Sequence, residues 1–564
     1  MNMVLNLIKP AIEKLTAPGG QFELVDMKVG GHTMRAYKNA PETLVELINA
    51  ARAHGDKEFL SYQGDRWSFD RFFAAVDALA GRLQAEAKLE PGDRIAIAMR
   101  NRPEWAVAFA AASLVGAIPA PINSFGTGAE LRSAIETVTP RVLFCDPDRL
   151  KRLEPDLASL GCHIVVVDTA TDKARGLLGF DEMAAAGGPE RKPVALKPED
   201  PALLLFTSGA STKPKAVLSS QRAVCQAIVN VDYIGAVSAM TSPKALAALM
   251  ARALAPCTLT VVPLFHVSGL HAQLISSMRN GRRLVFMHRW DPAHALKTIQ
   301  DEKITQFNAA PSMVQQLMGV PGFDPGSSAG TLGGVGFGGA GLSQRLVQSM
   351  QNLFPDSMSG IGFGLTETNG AVAAISGHLF ESRPTSAGAV SPLAEVRIVG
   401  DDGKAQPVGE RGEIWVRGVF VMDKYWGQPE LTAQALHDGF FRTGDIGYVD
   451  EAGFLFVVDR LKDVINRSGE KIAAAEVESC LSQMPEIDEA AVIAVPDAVT
   501  GEAVVAVVTA KPGATLTAEQ VQEHVAAHLA SYKVPSRVLI REQRLPRNPA
   551  GKVLKNELRA LCAA

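Results

Sequence analysis

Short apolar runs rich in β-branched residues recur through most of this chain, and amphipathic stretches of helical period separate them. This alternation constrains the fold most, because strands joined through helices return to one sheet in parallel. Arg94–Met99, Val142–Cys145, His163–Val167, Ala202–Phe206 and Thr258–Val262 carry the strand pattern, and Phe72–Glu86 and Leu131–Val138 the helical one. An α/β fold is expected, with parallel sheets covered by helices. The 564 residues exceed what one core holds, since single cores stop growing at roughly 250–300 residues. After residue 385 the pattern changes. Glu395–Val399, Gly412–Arg417 and Phe454–Val458 are short strands between Gly- and Asp-rich turns, which predicts a small antiparallel, barrel-like subdomain. The charged run Asp459–Asp463 then marks a boundary. It divides a large N-terminal domain, residues 1–459, from a smaller C-terminal α/β domain, residues 460–564. In the latter, Ala474–Leu481 and Thr517–Ala530 read as helices and Ala490–Val495 and Ala503–Thr509 as strands, and Thr517 and Gln520 have capping-box spacing.

Bulk chemistry excludes several classes of function. A net charge of −4 gives no reason to expect a nucleic acid or an anionic membrane as partner. Six cysteines lie far apart, without a CxxC pair or a Cys/His cluster in sequence, so neither a zinc site nor a disulfide framework is indicated. They read as buried small hydrophobes in a reducing cytoplasm. The N-terminus lacks the basic-then-apolar order of a signal peptide. The apolar run Trp105–Ile122 contains Gly116, Pro119 and Pro121, which fits a buried helix followed by a buried strand better than a membrane span. A soluble, cytoplasmic protein is expected, with homodimerisation left open.

The strand Ala202–Phe206 runs straight into Thr207-Ser208-Gly209-Ala210-Ser211-Thr212-Lys213-Pro214-Lys215. Hydroxyls, amides and lysines after a strand suit phosphate oxygens. The segment is not a GxxxxGK[ST] P-loop, because Pro214 holds the place of its second glycine. Alone, it reads equally well as a solvated Ser/Thr-rich turn. Further segments follow it: Pro263-Leu264-Phe265-His266-Val267-Ser268-Gly269, Gly338-Gly339-Ala340-Gly341-Leu342 and Phe363-Gly364-Leu365-Thr366-Glu367-Thr368. After these come Gly412–Gly418, Thr443-Gly444-Asp445, Arg460-Leu461-Lys462-Asp463, Ser468-Gly469-Glu470-Lys471-Ile472 and Pro546–Lys552. Individually most are ordinary turns. An aromatic such as Phe363 can stack on a base, and a carboxylate such as Glu367 is a hard ligand for magnesium.

In this order the segments resemble the adenylate-forming superfamily of acyl-CoA synthetases, peptide-synthetase adenylation domains and luciferases, and most of all an AMP-forming acyl-CoA synthetase. The resemblance spans nearly the whole chain. It implies activation of a small-molecule carboxylic acid with ATP and Mg2+, followed by transfer to coenzyme A. It implies that Thr207, Ser208, Gly209, Ala210, Ser211, Thr212 and Lys215 hold phosphate, that Gly339 and Ala340 seat adenine, and that Phe363, beside Gly364, stacks on it. Thr366 would donate to the α-phosphate, Glu367 would bind the metal, and Asp445 with Arg460 would hold the ribose. Lys462 would be the hinge of a mobile lid, Ser468, Gly469 and Lys471 would border the pantetheine tunnel, and Lys552 would be the catalytic lysine. His266 would line the acyl pocket and close the path of the acid. Thr212 and Ala216 stand where the family has glycines, which stiffens the loop.

The expected acyl pocket, around Tyr233, His266, Val267, Ala310, Gly336, Phe337 and Asn369, is mostly apolar. His266 and Val267 supply no negative charge to hold an ammonium group, which argues against an α-amino acid. A fatty or other hydrophobic acid is expected, with aryl and sterol-derived acids as alternatives. Two other readings stay open: an adenylating enzyme that passes the acyl group to a carrier protein or within the substrate, and a non-catalytic acyl-nucleotide binder.

Overall fold

The computed structural model describes residues 2–207, 214–338, 342, 344–468, 470–497, 499–548 and 551–563. Five parallel strands form one sheet in the order Ile118–Pro121, Arg94–Ala98, Val142–Cys145, His163–Val166, Leu177–Gly179. The helix Pro103–Leu114 is buried along its whole length, so the apolar run Trp105–Ile122 resolves into a core helix and the strand Ile118–Pro121. Its lack of a polar face is that of a helix covered on all sides.

The larger sheet is mixed. Its parallel half runs through Glu58–Tyr62, Arg283–Phe286, Cys257–Thr260, Gln306–Ala309, Gly334–Phe337 and Gly360–Leu365. From Gly370–Ser376 onward it is antiparallel, through Gly388–Val390, Phe454–Arg460, Phe440–Val449, Gly412–Arg417 and Glu395–Val399. The antiparallel strands expected after residue 385 are therefore present. They are continuous with the larger sheet through the pairing of Gly388–Val390 with Phe454–Arg460, because the edge of Gly370–Ser376 offers free backbone groups that a separate barrel would leave unpaired.

The large sheet's path includes strands up to Arg460, and from Ile465 onward the described strands pair among themselves. Ile487–Asp497 and Gly501–Ala510 form a long antiparallel pair with Arg537–Arg541 parallel alongside. The helices Ala474–Leu481 and Ala518–His528 pack on it around Val477, Leu481, Val521 and Val525. Thr517 and Gln520 close the expected capping box.

Among the described residues one helix, Gln221–Thr241, is long and apolar enough to cross a membrane by composition, but it is mostly buried in the core. It packs against the N-terminal helix Asn2–Thr16 and the strand Gly370–Ser376.

Candidate functional site

Thr207 and Lys215 belong to the two strands of a β-hairpin. Pro201–Thr207 pairs antiparallel with Lys215–Ser220, with Thr207 opposite Lys215. A phosphate loop of the P-loop type leads into a helix, whereas here a second strand returns first. Ser208, Gly209, Ala210, Ser211 and Thr212 lie outside the described residues, as do Gly339, Ala340 and Gly469. Lys424–Tyr425 adds a third strand to the hairpin, and Tyr425 places its ring 5.7 Å from the Lys215 Nζ.

A second hairpin, Gly360–Leu365 with Gly370–Ser376, ends in the tight turn Thr366–Thr368. Leu365 N donates to Thr368 Oγ1 at 2.9 Å, and Asn369 closes the turn in the left-handed region at φ 51°. Gly364 is required here, since a Cβ would lie 1.9 Å from the Gly370 carbonyl oxygen. The turn directs Glu367 inward, where it is 8% exposed. Tyr425 Oη donates to Glu367 Oε1 at 2.8 Å, and Met422 N donates to the Glu367 carbonyl at the same distance. Burial raises the Glu367 pKa above the ordinary carboxylate value, while the Tyr425 hydrogen bond and the charges of Lys215 and Arg460 act against it. A buried carboxylate with one oxygen committed to Tyr425, near Lys215, fits a divalent cation carrying phosphate. Phe363 and Thr366 are half-buried beside it.

Asp445 and Arg460 are cross-strand partners in the antiparallel pair Phe440–Val449 and Phe454–Arg460. The Arg460 Nε lies 3.2 Å from Asp445 Oδ1. Asp445 is 5% exposed, and burial raises its pKa against the lowering charges of Arg460, Lys552 and Lys462. Lys552 is thus brought to this pair from the far end of the chain. It sits on a tight turn in which Asn548 N donates to the Lys552 carbonyl at 2.8 Å and Lys552 N to Asn548 Oδ1 at 2.9 Å. Gly551, at φ 82°, lies against the N-terminal domain: a Cβ there would come 2.7 Å from the Ala310 Cβ. Burial first, then the Arg460 guanidinium, pushes the Lys552 pKa down to about 8.

His266 precedes the turn Val267–Gly269. Its Nε2 is buried without a partner among the described residues, and burial lowers its pKa to about 4. Val267 packs on the neighbouring core and Phe337 on another. Beside Gly336, Asn308 takes the space that a side chain would need, its Oδ1 lying 2.1 Å from a Cβ built there. Two residues expected with them are placed otherwise. Tyr233 packs edge-on to Phe22 at 5.6 Å and beside Tyr37 at 5.8 Å, because its side of the long helix faces the N-terminal segment. Asn369 is 1% exposed and ties Ser219 Oγ to the Phe420 carbonyl through its Nδ2. Ser468 is exposed at φ 53°, the left-handed conformation of a glycine position, and Lys471 pairs across to Asp401.

The sequence reading missed Tyr425, Asn308 and a basic cluster. Arg100 lies 3.7 Å over the ring of Phe125, and Arg152 Nη1 donates to the Gly126 carbonyl at 2.6 Å. Burial, together with the charges of Arg149, Arg289 and Arg152, lowers the Arg100 pKa to about 10. Phe125 is 42% exposed and stands 6.1 Å from Phe265, the neighbour of His266. Arg149 and Arg152 share the helix Pro147–Leu153, whereas Arg100 and Arg289 come from separate segments, so no single motif signalled the cluster.

The profile of the AMP-binding enzyme family matches residues 47–426, and that of the AMP-binding enzyme C-terminal domain matches residues 476–552. The chain belongs to the AMP-binding enzyme family. Among curated relatives of this AMP-binding enzyme, 4-coumarate–CoA ligase-like 6 of Oryza sativa subsp. japonica is 33% identical over 508 residues, covering 87% of this chain and 81% of the relative. Indoleacetate–CoA ligase of Aromatoleum aromaticum is 31% identical over 498 residues, covering 88% and 93%. Among solved structures, the amide bond synthetase McbA from Marinactinospora thermotolerans superposes with a TM-score of 0.79 at 27% identity, covering 93% of this AMP-binding enzyme and 100% of that chain. The two-part α/β fold is thus that of adenylate-forming enzymes.

Proposed function

We propose that this enzyme is an AMP-forming ligase that joins a hydrophobic carboxylic acid to coenzyme A. The convergence of Lys552 on the Asp445–Arg460 pair, with the charges of Arg460 and Lys215 also acting on Glu367, carries the reading. A carboxylate oxygen attacks the α-phosphorus of ATP, and the bond to the β-phosphate breaks to release pyrophosphate. Positioning and charge are what the protein must supply to such a step. Lys552 offsets the repulsion between carboxylate and phosphate, which at an effective dielectric near 20 is of order several kcal/mol. Glu367 would hold Mg2+, which supplies charge for the departing phosphates. Asp445 accepts from the ribose hydroxyls, and Arg460 holds Asp445 in place. The thiol then attacks the acyl carbon, and AMP leaves.

The basic cluster of Arg100, Arg152 and Arg289, beside the exposed Phe125, supports a phosphorylated thiol such as free coenzyme A as acceptor. The names of the curated relatives favour an aryl or arylalkanoic acid over the fatty acid expected from the pocket's apolar composition. The test is AMP release with a panel of cinnamic, indoleacetic and C8–C16 fatty acids, with and without coenzyme A. We expect coenzyme-A-dependent turnover with one acid class, and a KM for coenzyme A raised at least tenfold in Arg152→Glu with pyrophosphate exchange unchanged. Steady AMP release without coenzyme A, or release driven by an amine as similarity to an amide bond synthetase would suggest, would replace the ligase reading. Absence of pyrophosphate exchange with every acid would favour a binder.

A further inference from the structure

Cysteine spacing gave no sign of a metal site, yet the fold of the C-terminal domain brings Cys480, His524 and His528 together. One ligand atom from each lies within 4.8 Å of the others. His524 and His528 stand one helical turn apart on Ala518–His528, so both rings project from one face, with centroids 4.4 Å apart. Cys480 faces them from the helix Ala474–Leu481, which packs against theirs.

The surroundings suit ligation. His524 Nε2 lies 3.1 Å from the Cys480 carbonyl oxygen and His528 Nδ1 lies 2.8 Å from the His524 carbonyl oxygen. A carbonyl only accepts, so each ring donates there, and its other nitrogen is left with a lone pair. A backbone carbonyl holding one N–H of an imidazole is the usual support of a metal-binding histidine. No Lys, Arg, Asp or Glu forms a described ion pair with any of the three. Cys480 is buried, His524 half-buried and His528 exposed, which gives a thiol shielded on one side and an approach from solvent on the other; burial and the nearby Glu476 keep that thiol protonated, so an incoming metal ion must displace its proton.

We infer that Cys480, His524 and His528 form a three-ligand site for a borderline-soft divalent transition-metal ion, zinc foremost, which clamps the two lid helices. A tetrahedral zinc holds N and S ligands about 3.5 Å apart, so binding draws the three side chains inward. Two nitrogens and one sulfur leave one coordination position for water. The helix Ala474–Leu481 also donates Ala475 N to Asp459 Oδ2 beside the hinge, and Glu478 pairs with Lys555. The clamp therefore stiffens the lid near its pivot while contributing nothing to the reacting groups.

The test uses the full-length protein, freed of metal with a chelator and titrated with Co2+ as a spectroscopic stand-in for zinc. We expect one equivalent to bind with a thiolate-to-cobalt charge-transfer band in the near ultraviolet, and Zn2+ to displace it and raise the melting temperature of the lid. Cys480→Ser removes the band. Because Cys480 belongs to the lid core, the exposed His528→Ala serves as the second variant; it weakens Co2+ binding at least tenfold and leaves pyrophosphate exchange unchanged. A titration without a thiolate band, or His528→Ala binding Co2+ as tightly as the unmodified protein, overturns the inference.

Discussion

Lys552 has an exacting position, since burial and Arg460 both oppose its charge while Asp445 favours it. Its pKa near 8 lies below the unfolded value, so the folded state binds fewer protons between about pH 8 and pH 10. Stability contributed at this residue therefore rises with pH across that window, and at pH 7 the charged lysine is a cost. Lys552→Ala should leave the melting temperature at pH 7 unchanged or higher, while pyrophosphate exchange falls about 10²–10³-fold, the scale of losing one charge-stabilising group. Exchange by the unmodified enzyme should decline as pH rises through about 8, read from kcat/KM in the free enzyme. Glu367 follows the same logic with opposite charge. Its pKa is raised by burial, so the ionised form is disfavoured by folding and its cost is fully present above the folded pKa. Glu367→Gln keeps an acceptor for the Tyr425 hydroxyl, and calorimetry at pH 7 should show a melting temperature no lower than that of the parent while exchange is lost.

One turn decides whether Glu367 arrives. The Thr366–Thr368 turn depends on a bare backbone at Gly364, where a Cβ would meet the Gly370 carbonyl at 1.9 Å. Gly364→Ala forces the two strands apart; we expect a cost of about 1–3 kcal/mol in denaturant unfolding, together with loss of exchange, because Glu367 is displaced from Tyr425. Much of this element level was legible in sequence. Val142–Cys145, Glu395–Val399, Gly412–Arg417 and Ala474–Leu481 begin and end where alternation or helical period said they would, because each is short and bounded by residues that stop it. The hairpin at Thr207–Lys215 was not, since a strand followed by a Gly- and Ser-rich loop looks alike whether a helix or a second strand comes next. Only the pairing of Thr207 with Lys215 distinguishes them.

For the whole molecule the decisive contact is that of the C-terminal domain with the large one, made by Gly551 on Ala310 and by Lys471 with Asp401, while within the C-terminal domain Arg559 pairs with Asp463 at 2.8 Å. The turn Leu461–Asp463, where the family resemblance puts the hinge, is a single turn of 3-10 helix, a conformation whose usual φ is close to the value that proline enforces. Lys462→Pro should hold the lid in this orientation; pyrophosphate exchange should persist within about tenfold, while thioester formation in a single-turnover assay falls much further. Sequence alone determined the α/β class, the change of pattern after residue 385 and the order of motifs, because local periodicity and turn chemistry are written in neighbouring residues. It determined Glu367, Asp445, Arg460 and Lys552 as candidates through that order. Tertiary structure alone decided that Lys552 comes near enough to Asp445 for their charges to act on each other, that Tyr425 holds Glu367, that Tyr233 belongs to an aromatic cluster, and that Cys480 lies beside two histidines. Each of these joins residues from separate elements, and only the packing of those elements brings them within reach.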